Sequence, residues 1–510
     1  MDWRHSPHFR RGLRSAGWSS IDFIVLPLLW LATTPFFVAS LGVDEYGIWM
    51  LANALVGFSG VATLGLGDAT VRSVAMHAAA GDVPGVREIV RLTSGWCMSL
   101  GLVVGALLWV LSPTLAVDVF AVSEASRNSA VDALRMSALA VVVRMSDVAP
   151  TAVIQGLERF DLSAKIRIPV SILTMLVNVL LVGMGFPIST LVLSTSGVLA
   201  LGCICKMIVV KRNLLPGVRF FSTRLLQFPD DLRSFAFSSW LQGLSGILFG
   251  QLDRLLVASL LGTRSLSYYS VCVQFSQQIH SLLAQTLSFL LPLASAQHER
   301  GASRSIKRIF FTATNLTTLA AVGMGIPVFL LSHEILDLWM GSVFARESAE
   351  LLRMFVVVFT LLSTSIVPHY VMNATGYYRL NAILSCSGGI VAALFSLYMI
   401  PTFGLLGAAV SRLFTLPLSI AGRTLVHFKV LDDRRWFAAL PVFLPITALF
   451  LLLAFLDRAS FMNSMDLPSR LIAAVVCTAI GTGLVGFILF LINQDPEVGK
   501  ERPSLRETVL

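Results

Sequence analysis

The sequence predicts an all-α polytopic membrane protein of about 14 transmembrane helices, arranged as two six-helix lobes related by a parallel repeat plus two extra C-terminal helices. The first observation is composition: 55% of the 510 residues are apolar and 13% are charged, whereas soluble domains carry about 25% charged residues. The second is that apolar runs of about 20 residues, long enough to cross about 30 Å of hydrocarbon, recur along the chain. The third is that positive charges collect on alternate loops.

The apolar runs are predicted to form fourteen spans. The first six lie at 20–41, 47–67, 91–111, 131–156, 166–186 and 189–210. The next six lie at 234–256, 265–292, 309–331, 349–369, 380–400 and 403–425, and the last two at 436–456 and 470–493. The first run follows an arginine-rich segment, as in a signal peptide, but it is longer than the apolar region of about 7–15 residues found there. We therefore interpret it as an uncleaved first helix.

Lysine and arginine divide unequally between the two sides of the predicted membrane. One side carries 27 of them, counting both tails and the loop charges, among which Arg423 and Lys429 are included. The other side carries 6. Because Lys and Arg are enriched in the cytoplasmic loops of membrane proteins, both termini are predicted to be cytoplasmic. The chain is therefore predicted to be a multi-pass membrane protein. A span count wrong by one would mix the positively charged loops with the others, so the unequal division of charge supports fourteen spans.

Short segments of the first half recur in the second half at an offset near 220 residues. The matching pairs are Val38–Gly42 with Val257–Gly262, Gly81 with Gly301, Leu134–Met136 with Leu352–Met354, and Gly156 with Gly376. Each copy holds six spans, an even number, so both copies begin on the same side and the repeat is parallel. The predicted domains are an N-terminal lobe at 1–210, a cytoplasmic amphipathic linker at 211–233, a C-terminal lobe at 234–430, and spans 13 and 14 with the tail at 431–510.

Polar side chains follow one face of the seventh span and one face of the eighth. The residues are Gln242, Asp253, Gln274, Gln278 and Gln285. A stripe of glutamine facing lipid would be costly, so these faces must meet protein or water. The first interpretation is that they line a substrate cavity between the lobes. The alternative is hydrogen bonding between packed helices, which is common in membrane bundles.

Five further charged residues fall inside predicted spans: Arg135, Arg144, Asp147, Arg353 and Arg412. Arg144 and Asp147, three residues apart on the fourth span, are interpreted either as a buried ion pair or as part of the cavity. Arg412 has no acidic neighbour in the sequence and needs a cavity or a distant partner. Lys206 is expected to extend to the cytoplasmic surface.

Arg135 and Arg353 occupy equivalent positions in the repeat, each about one turn inside the predicted outer end of its span. One hypothesis is that they face each other across the outward half of the cleft and attract an anionic group of the substrate during release. The alternative is that both extend to the lipid headgroups and anchor their helices.

Several classes of function are excluded by what the sequence lacks. The six cysteines show no spacing that binds zinc, and no metal site or catalytic residue is predicted. No GxxxxGK[ST] motif for ATP occurs. The net charge of +9 is spread over loops rather than gathered in one patch, so nucleic acid is not an expected partner. The external loops are too short for a periplasmic catalytic domain, which argues against an enzyme.

Motifs at the first span and at the start of the second half resemble a known family. The segment Leu41–Trp49 (LGVDEYGIW) is followed by Gly65-Leu66-Gly67 and Arg72. The second half carries Gln251-Leu252-Asp253, Leu261-Gly262 and Tyr268-Tyr269. This pattern is similar to that of the polysaccharide-transport family, the Wzx-type flippases of O-antigen and exopolysaccharide. They belong to the multidrug/oligosaccharidyl-lipid/polysaccharide exporter superfamily.

The resemblance implies a function. Such proteins move undecaprenyl-pyrophosphate-linked oligosaccharide repeat units from the cytoplasmic to the periplasmic leaflet by alternating access. The implied partners are this lipid-linked substrate, membrane lipids, and the polysaccharide polymerase and glycosyltransferases that act after and before it. No cofactor is implied, although coupling to a proton or sodium gradient through Asp253 or Asp147 is a hypothesis.

Two other functions remain open at this point. One is a cation-coupled antiporter of drugs or other small molecules from the same superfamily, which would need an acidic site. The charges inside the spans instead lean positive. The other is a membrane polysaccharide polymerase or ligase, which the short external loops and the parallel repeat disfavour.

Overall fold

The computed structural model describes residues 27–220, 240, 243, 244, 246–432, 440–458 and 466–492. All regular structure within these ranges is helical, which confirms the predicted all-α class. Because backbone polar groups cannot be satisfied by lipid, helices that pair their own N–H and C=O groups are the expected way for this chain to cross a bilayer.

The first half of the chain forms eight α-helices. They are α1 (Pro27–Leu41), α2 (Val43–Phe58), α3 (Leu66–Ala79), α4 (Val83–Thr114), α5 (Arg127–Ser146), α6 (Val148–Gly156), α7 (Phe160–Gly183) and α8 (Ile188–Val209). The second half forms ten in its described residues. They are α9 (Asp253–Thr286), α10 (Leu290–Glu299), α11 (Ser303–Leu330), α12 (Ser332–Met340), α13 (Ser342–Ser363), α14 (Ile366–Ala374), α15 (Tyr378–Leu413), α16 (Leu416–Lys429), α17 (Leu440–Arg458) and α18 (Leu467–Ile492).

Ten stretches of the described chain are long and apolar enough to cross a membrane, and two shorter apolar helices accompany them. Among the ten, Gly250–Glu299 joins the end of the predicted seventh span to the eighth, and Tyr378–Lys429 covers the eleventh and twelfth. They bend sharply at Gly262, with φ 81°, and at Gly404, with φ 59°. A residue without Cβ adopts this left-handed backbone without strain. The described helices therefore correspond to the fourteen predicted spans, the seventh being described only in its second half.

Left-handed backbone positions recur at the offset of the sequence repeat. The pairs are Gly42 with Gly262, Gly81 with Gly301, Ala121 with Gly341, Glu158 with Gly376, Gly185 with Gly404, and Gly217 with Asp432. These pairs lie 215 to 220 residues apart, and three of the twelve positions are not glycine. Because left-handed φ is uncommon outside glycine, this recurrence supports the internal repeat. The division into lobes at 211–233 stays a prediction, because 221–239 lie outside the described residues.

By contacts, the chain forms two compact units: Met1–Cys272 with Ser385–Phe414, and Val273–Leu384 with Thr415–Leu510. In the first unit, α4 packs closely on α5. Gly101 and Gly105 of α4 make this possible: a Cβ at Gly101 would lie 3.1 Å from Met145, and one at Gly105 would lie 2.9 Å from Val142. Small residues four apart are a common way for membrane helices to approach each other.

In the second unit, two ion pairs attach the last two helices. Arg353 of α13 donates to Asp457 of α17 at 2.5 Å, and Arg470 of α18 pairs with Glu334 of α12. Both pairs are largely buried by their surroundings. The extra C-terminal helices are therefore bound to this unit by charge as well as by apolar packing.

Four spans break where a proline follows. Pro150, Pro292, Pro368 and Pro417 lack the N–H that would bond the carbonyl four residues earlier. The helices end there, at Asp147, at 287–289, at 364–365 and at 414–415. The short helices α6, α10, α14 and α16 follow these breaks, and α3 follows a similar break at Leu64–Gly65. By the predicted topology, all five short helices lie at cytoplasmic ends of spans.

Candidate functional site

The first unit contains a cavity of about 410 Å³ beside two of these helix breaks. Its walls come from α3, α5, α6, α7 and α8. The polar side chains that line it are Asp68, Arg144, Asp147, Thr151, Gln155, Arg167, Ser171 and Lys206. Three cations therefore face two carboxylates, and the remaining lining is largely apolar.

An ion pair between two spans lies at the wall of this cavity. The Lys206 ammonium of α8 donates to Asp147 Oδ2 at 2.5 Å and to Thr151 Oγ1 at 3.0 Å. Thr151 Oγ1 in turn donates to the same carboxylate oxygen at 3.1 Å. Asp147 Oδ1 is buried without a hydrogen-bond partner among the described residues. The carboxylate thus has one fully occupied oxygen and one with free acceptor capacity.

The structure decides between two interpretations and corrects one prediction. Arg144 and Asp147 both line the cavity, and Asp147 pairs with Lys206 rather than with Arg144. The alternative of an Arg144–Asp147 ion pair assumed an unbroken helix, but α5 ends at Ser146 because of Pro150. Lys206 does not extend to the surface, since its side chain is only 12% exposed. Arg144 remains solvent-exposed.

A second charged cluster in the first unit is closed. Asp253 Oδ2 accepts from Arg412 Nε at 3.0 Å, from Arg412 Nη2 and from the Tyr269 hydroxyl. Asp253 Oδ1 accepts from the backbone N–H of Arg254 at 2.8 Å. All three side chains are buried. Arg412, for which the sequence offered no partner, is therefore neutralised by Asp253, and two residues of the family motif, Asp253 and Tyr269, bond to each other.

The other predicted cavity residues are dispersed. Gln242 lies outside the described residues. Gln274 and Gln278 are half-buried and Gln285 is exposed, all in the second unit. Arg135 lies 4.0 Å from Asp132 and 6.0 Å above the Trp109 ring. Arg353 is bound to Asp457, and its predicted position opposite Arg135 across a cleft stays a prediction.

Sequence reasoning missed three cations that the structure places inside. Arg167 and Lys206 line the cavity, and Arg423 is 2% exposed in the second unit. Arg423 was counted with the loop charges although it falls within the predicted span 403–425, and Arg167 and Lys206 also fall within predicted spans. Their positions inside predicted spans are the signal in the sequence that points to burial.

Comparisons with known proteins agree with the described fold. A family of polysaccharide biosynthesis proteins matches residues 40–349. A Shigella flexneri protein, named as a candidate O-antigen transporter, is 21% identical over 410 residues, which cover 78% of this chain and 93% of the relative.

Solved structures of the same architecture include two transporters. The lipid II flippase MurJ, in an inward closed conformation, has a TM-score of 0.68 and 13% identity, covering 92% of this chain and 98% of MurJ. An inward-facing multidrug resistance MATE family transporter of the MOP superfamily has a TM-score of 0.60 and 13% identity, covering 80% of this chain and 98% of that protein. At these identities the structures establish only that the chain shares the fold of these two transporters. The family match covers more than half of this chain. The chain therefore belongs to the polysaccharide biosynthesis protein family, as the sequence motifs predicted.

Proposed function

We propose that this protein is a flippase that carries undecaprenyl-pyrophosphate-linked oligosaccharide units from the cytoplasmic to the periplasmic leaflet by alternating access. The observation that carries the proposal is the cavity of the first unit, in which Arg144, Arg167 and Lys206 outnumber two carboxylates. In this proposal the cavity receives the pyrophosphate, while the polyprenyl tail stays in lipid. The protein is a transporter of the bacterial inner membrane, not an enzyme.

The chemistry of the cavity suits this cargo. A pyrophosphate cannot enter hydrocarbon unaided, but charge-assisted hydrogen bonds from Arg and Lys replace its lost hydration. Thr151 and Gln155 offer neutral hydrogen-bonding groups at the same wall, which suits sugar hydroxyls. By the predicted topology the cavity lies toward the cytoplasm, the side on which glycosyltransferases build the substrate. A polysaccharide polymerase would use the released unit on the other side.

The relatives support the same class of cargo. The Shigella flexneri protein is named for O-antigen transport and MurJ for lipid II flipping, and both names refer to lipid-linked glycans or their polymers. A drug antiporter is the second candidate, since MATE transporters share the fold. The excess of cations in the cavity disfavours cationic drugs, because like charges in a site of low dielectric repel.

Coupling to a proton or sodium gradient is part of the proposal, with Asp147 as the coupling carboxylate. Its Oδ1 has acceptor capacity that a proton or cation can take up. Asp253 is less suited, because Arg412, Tyr269 and a backbone N–H occupy its oxygens. An arriving phosphate would compete with Asp147 for Lys206, which would link substrate binding to release of the carboxylate.

The test is complementation of surface-polysaccharide export in a flippase-null strain. Lys206→Met should reduce export about tenfold or more, because a hydrogen bond to a charged group contributes about 1.5–3 kcal/mol. Lys206→Arg should retain much of the activity. The matched control is Lys211→Gln, which removes an exposed cation five residues further along and should export normally. Normal export by Lys206→Met at matched membrane levels would refute the proposed role of the cavity.

A further inference from the structure

Within its described residues, the second unit holds a buried cation without a counter-ion. Arg423 of α16 is 2% exposed, and its guanidinium carbon lies 5.4 Å from the centre of the Phe310 ring. Its Nε and Nη1 have no hydrogen-bond partner within the described residues. The aromatic face compensates part of the lost hydration, but an unpaired buried charge remains costly. A group kept at such a cost in stability is a candidate for binding a ligand.

The internal repeat makes Arg423 the counterpart of Lys206. Lys206 lies between the left-handed positions Gly185 and Gly217, and Arg423 lies between their counterparts Gly404 and Asp432, in register within about two residues. Both cations therefore sit at the same place near the predicted cytoplasmic end of the last span in their repeat. In the first half this cation binds Asp147 at the helix break of the fourth span.

The counterpart of Asp147 is a serine. Asp147 precedes Pro150 by three residues, and Ser365 precedes Pro368 by three residues at the matching break of the tenth span. The Ser365 hydroxyl is buried and has no hydrogen-bond partner among the described residues. The first half thus has a complete pair of cation and carboxylate. The second half has the cation and, in place of the carboxylate, an unsatisfied hydroxyl.

The helices that carry these two residues pack together. Val367, two residues after Ser365, and Val426, three residues after Arg423, belong to one buried apolar cluster with Phe310 and Leu290. The cluster joins α10, α14 and α16, the three short helices that follow proline breaks in this unit. Breaks in the helical hydrogen-bond ladder are points where a helix bends. The segments around Arg423 can therefore part without unfolding their spans.

We propose that Arg423 and Ser365 form an oxyanion site for a phosphate group, in which the ligand takes the place that the Asp147 carboxylate occupies in the first half. The guanidinium fork donates to two phosphate oxygens and the serine hydroxyl donates to a third. The site is closed in this conformation and opens when α10, α14 and α16 separate. The phosphate belongs either to the lipid-linked substrate or to an anionic phospholipid. This inference does not depend on the role proposed for the cavity.

The experiment uses the full chain in nanodiscs and a Lys206→Met background, which removes the main cation of the first-unit cavity. Thermal melting is measured with and without inorganic pyrophosphate, and with phosphatidylglycerol or only phosphatidylcholine as the lipid. Arg423→Met should melt at a higher temperature than its parent without ligand, because an unpaired charge is removed. It should also bind the phosphate ligand about tenfold more weakly or worse. Arg423→Lys should recover part of the binding.

Loss of only the pyrophosphate response would assign the site to the substrate, and loss of only the phosphatidylglycerol response would assign it to a lipid headgroup. Either outcome supports the site. Unchanged responses to both ligands in Arg423→Met would overturn it, whatever the outcome for Lys206. Ser365→Asp provides a second measurement, since an aspartate there should pair with Arg423, raise the melting temperature and abolish the ligand response. A Ser365→Asp protein that melts lower and still responds to ligand would also overturn the proposal.

Discussion

Two arginines of the predicted twelfth span, Arg412 and Arg423, are equally buried but meet opposite surroundings. Arg412, 3% exposed in the first unit, donates to Asp253, which also accepts from Tyr269. Arg423, 2% exposed in the second unit, has an aromatic ring beside it and no carboxylate partner among the described residues. Burial alone therefore does not separate a structural charge from one that awaits a ligand.

The difference lies in whether the charge is already satisfied. A buried ion pair with complete hydrogen bonding recovers most of its desolvation cost internally. It has little to gain from a further ligand. A buried cation without a partner gains strongly from an anion, because electrostatic interactions are stronger in a medium of low dielectric. We accordingly interpret the Asp253 cluster as a structural connection between the spans that carry it, and Arg423 as a binding group.

The largest expected effect is at the paired arginine. Asp253→Ala leaves Arg412 buried without its carboxylate and should reduce the free energy of unfolding by about 3–5 kcal/mol. This loss is measured by heating the detergent-solubilised protein, with size-exclusion chromatography as the readout of the protein that stays folded. The control is the double variant Asp253→Leu with Arg412→Met, which removes both charges and should recover most of the stability. An Asp253→Ala protein as stable as wild type would remove the contrast between the two arginines.

A smaller effect is expected at the third member of the Asp253 cluster. Tyr269→Phe removes one hydroxyl donor to a charged acceptor and should cost about 1.5–3 kcal/mol of stability. Arg412 still neutralises the carboxylate in this variant, so transport at matched protein levels should be unchanged. The melting temperature and polysaccharide export are measured on the same preparations of cells. Lost export at normal stability would mean that the cluster takes part in transport.

The smallest effect is expected at Arg135. Its side chain is 38% exposed and lies 4.0 Å from Asp132, which is 57% exposed, and such surface pairs contribute at most about 1 kcal/mol. Arg135→Ala should therefore melt and export almost as wild type does. The informative comparison is Arg353→Ala, which leaves the Asp457 carboxylate without its cation. This variant should weaken the attachment of α17, and faster proteolysis of the C-terminal helices measures the effect. Strongly impaired export by Arg135→Ala would revive the hypothesis of an anion-binding arginine at the outer end.

Much of the fold could be predicted from the sequence because its determinants are local. The predicted sixth span, 189–210, coincides within one residue with α8, Ile188–Val209, since the length of an apolar run is a property of neighbouring residues. The repeat was visible in short matches and reappears in backbone angles such as those of Gly42 and Gly262. The proline-dependent breaks are equally local, and the break at Asp147 disfavours the Arg144–Asp147 ion pair that was one of two interpretations.

The candidate site was predicted only in part, because its contacts join distant parts of the chain. Lys206 and Asp147 are 59 residues apart, Arg353 and Asp457 are 104 apart, and Arg412 and Asp253 are 159 apart. The sequence identified most of these side chains as unusual within a membrane span. It could not indicate which cation meets which carboxylate, or which one meets none.

The sequence by itself determined that the chain crosses a membrane many times, that its halves repeat, and that it carries the motifs of its family. These properties follow from hydropathy, charge distribution and spacing, which act over one helix at a time. Only the tertiary structure decided that Asp147 binds Lys206, that Arg412 is neutralised and that Arg423 is not. The physical reason is that the free energy of a buried charge depends on its nearest counter-ion, and helix packing alone determines which residue that is.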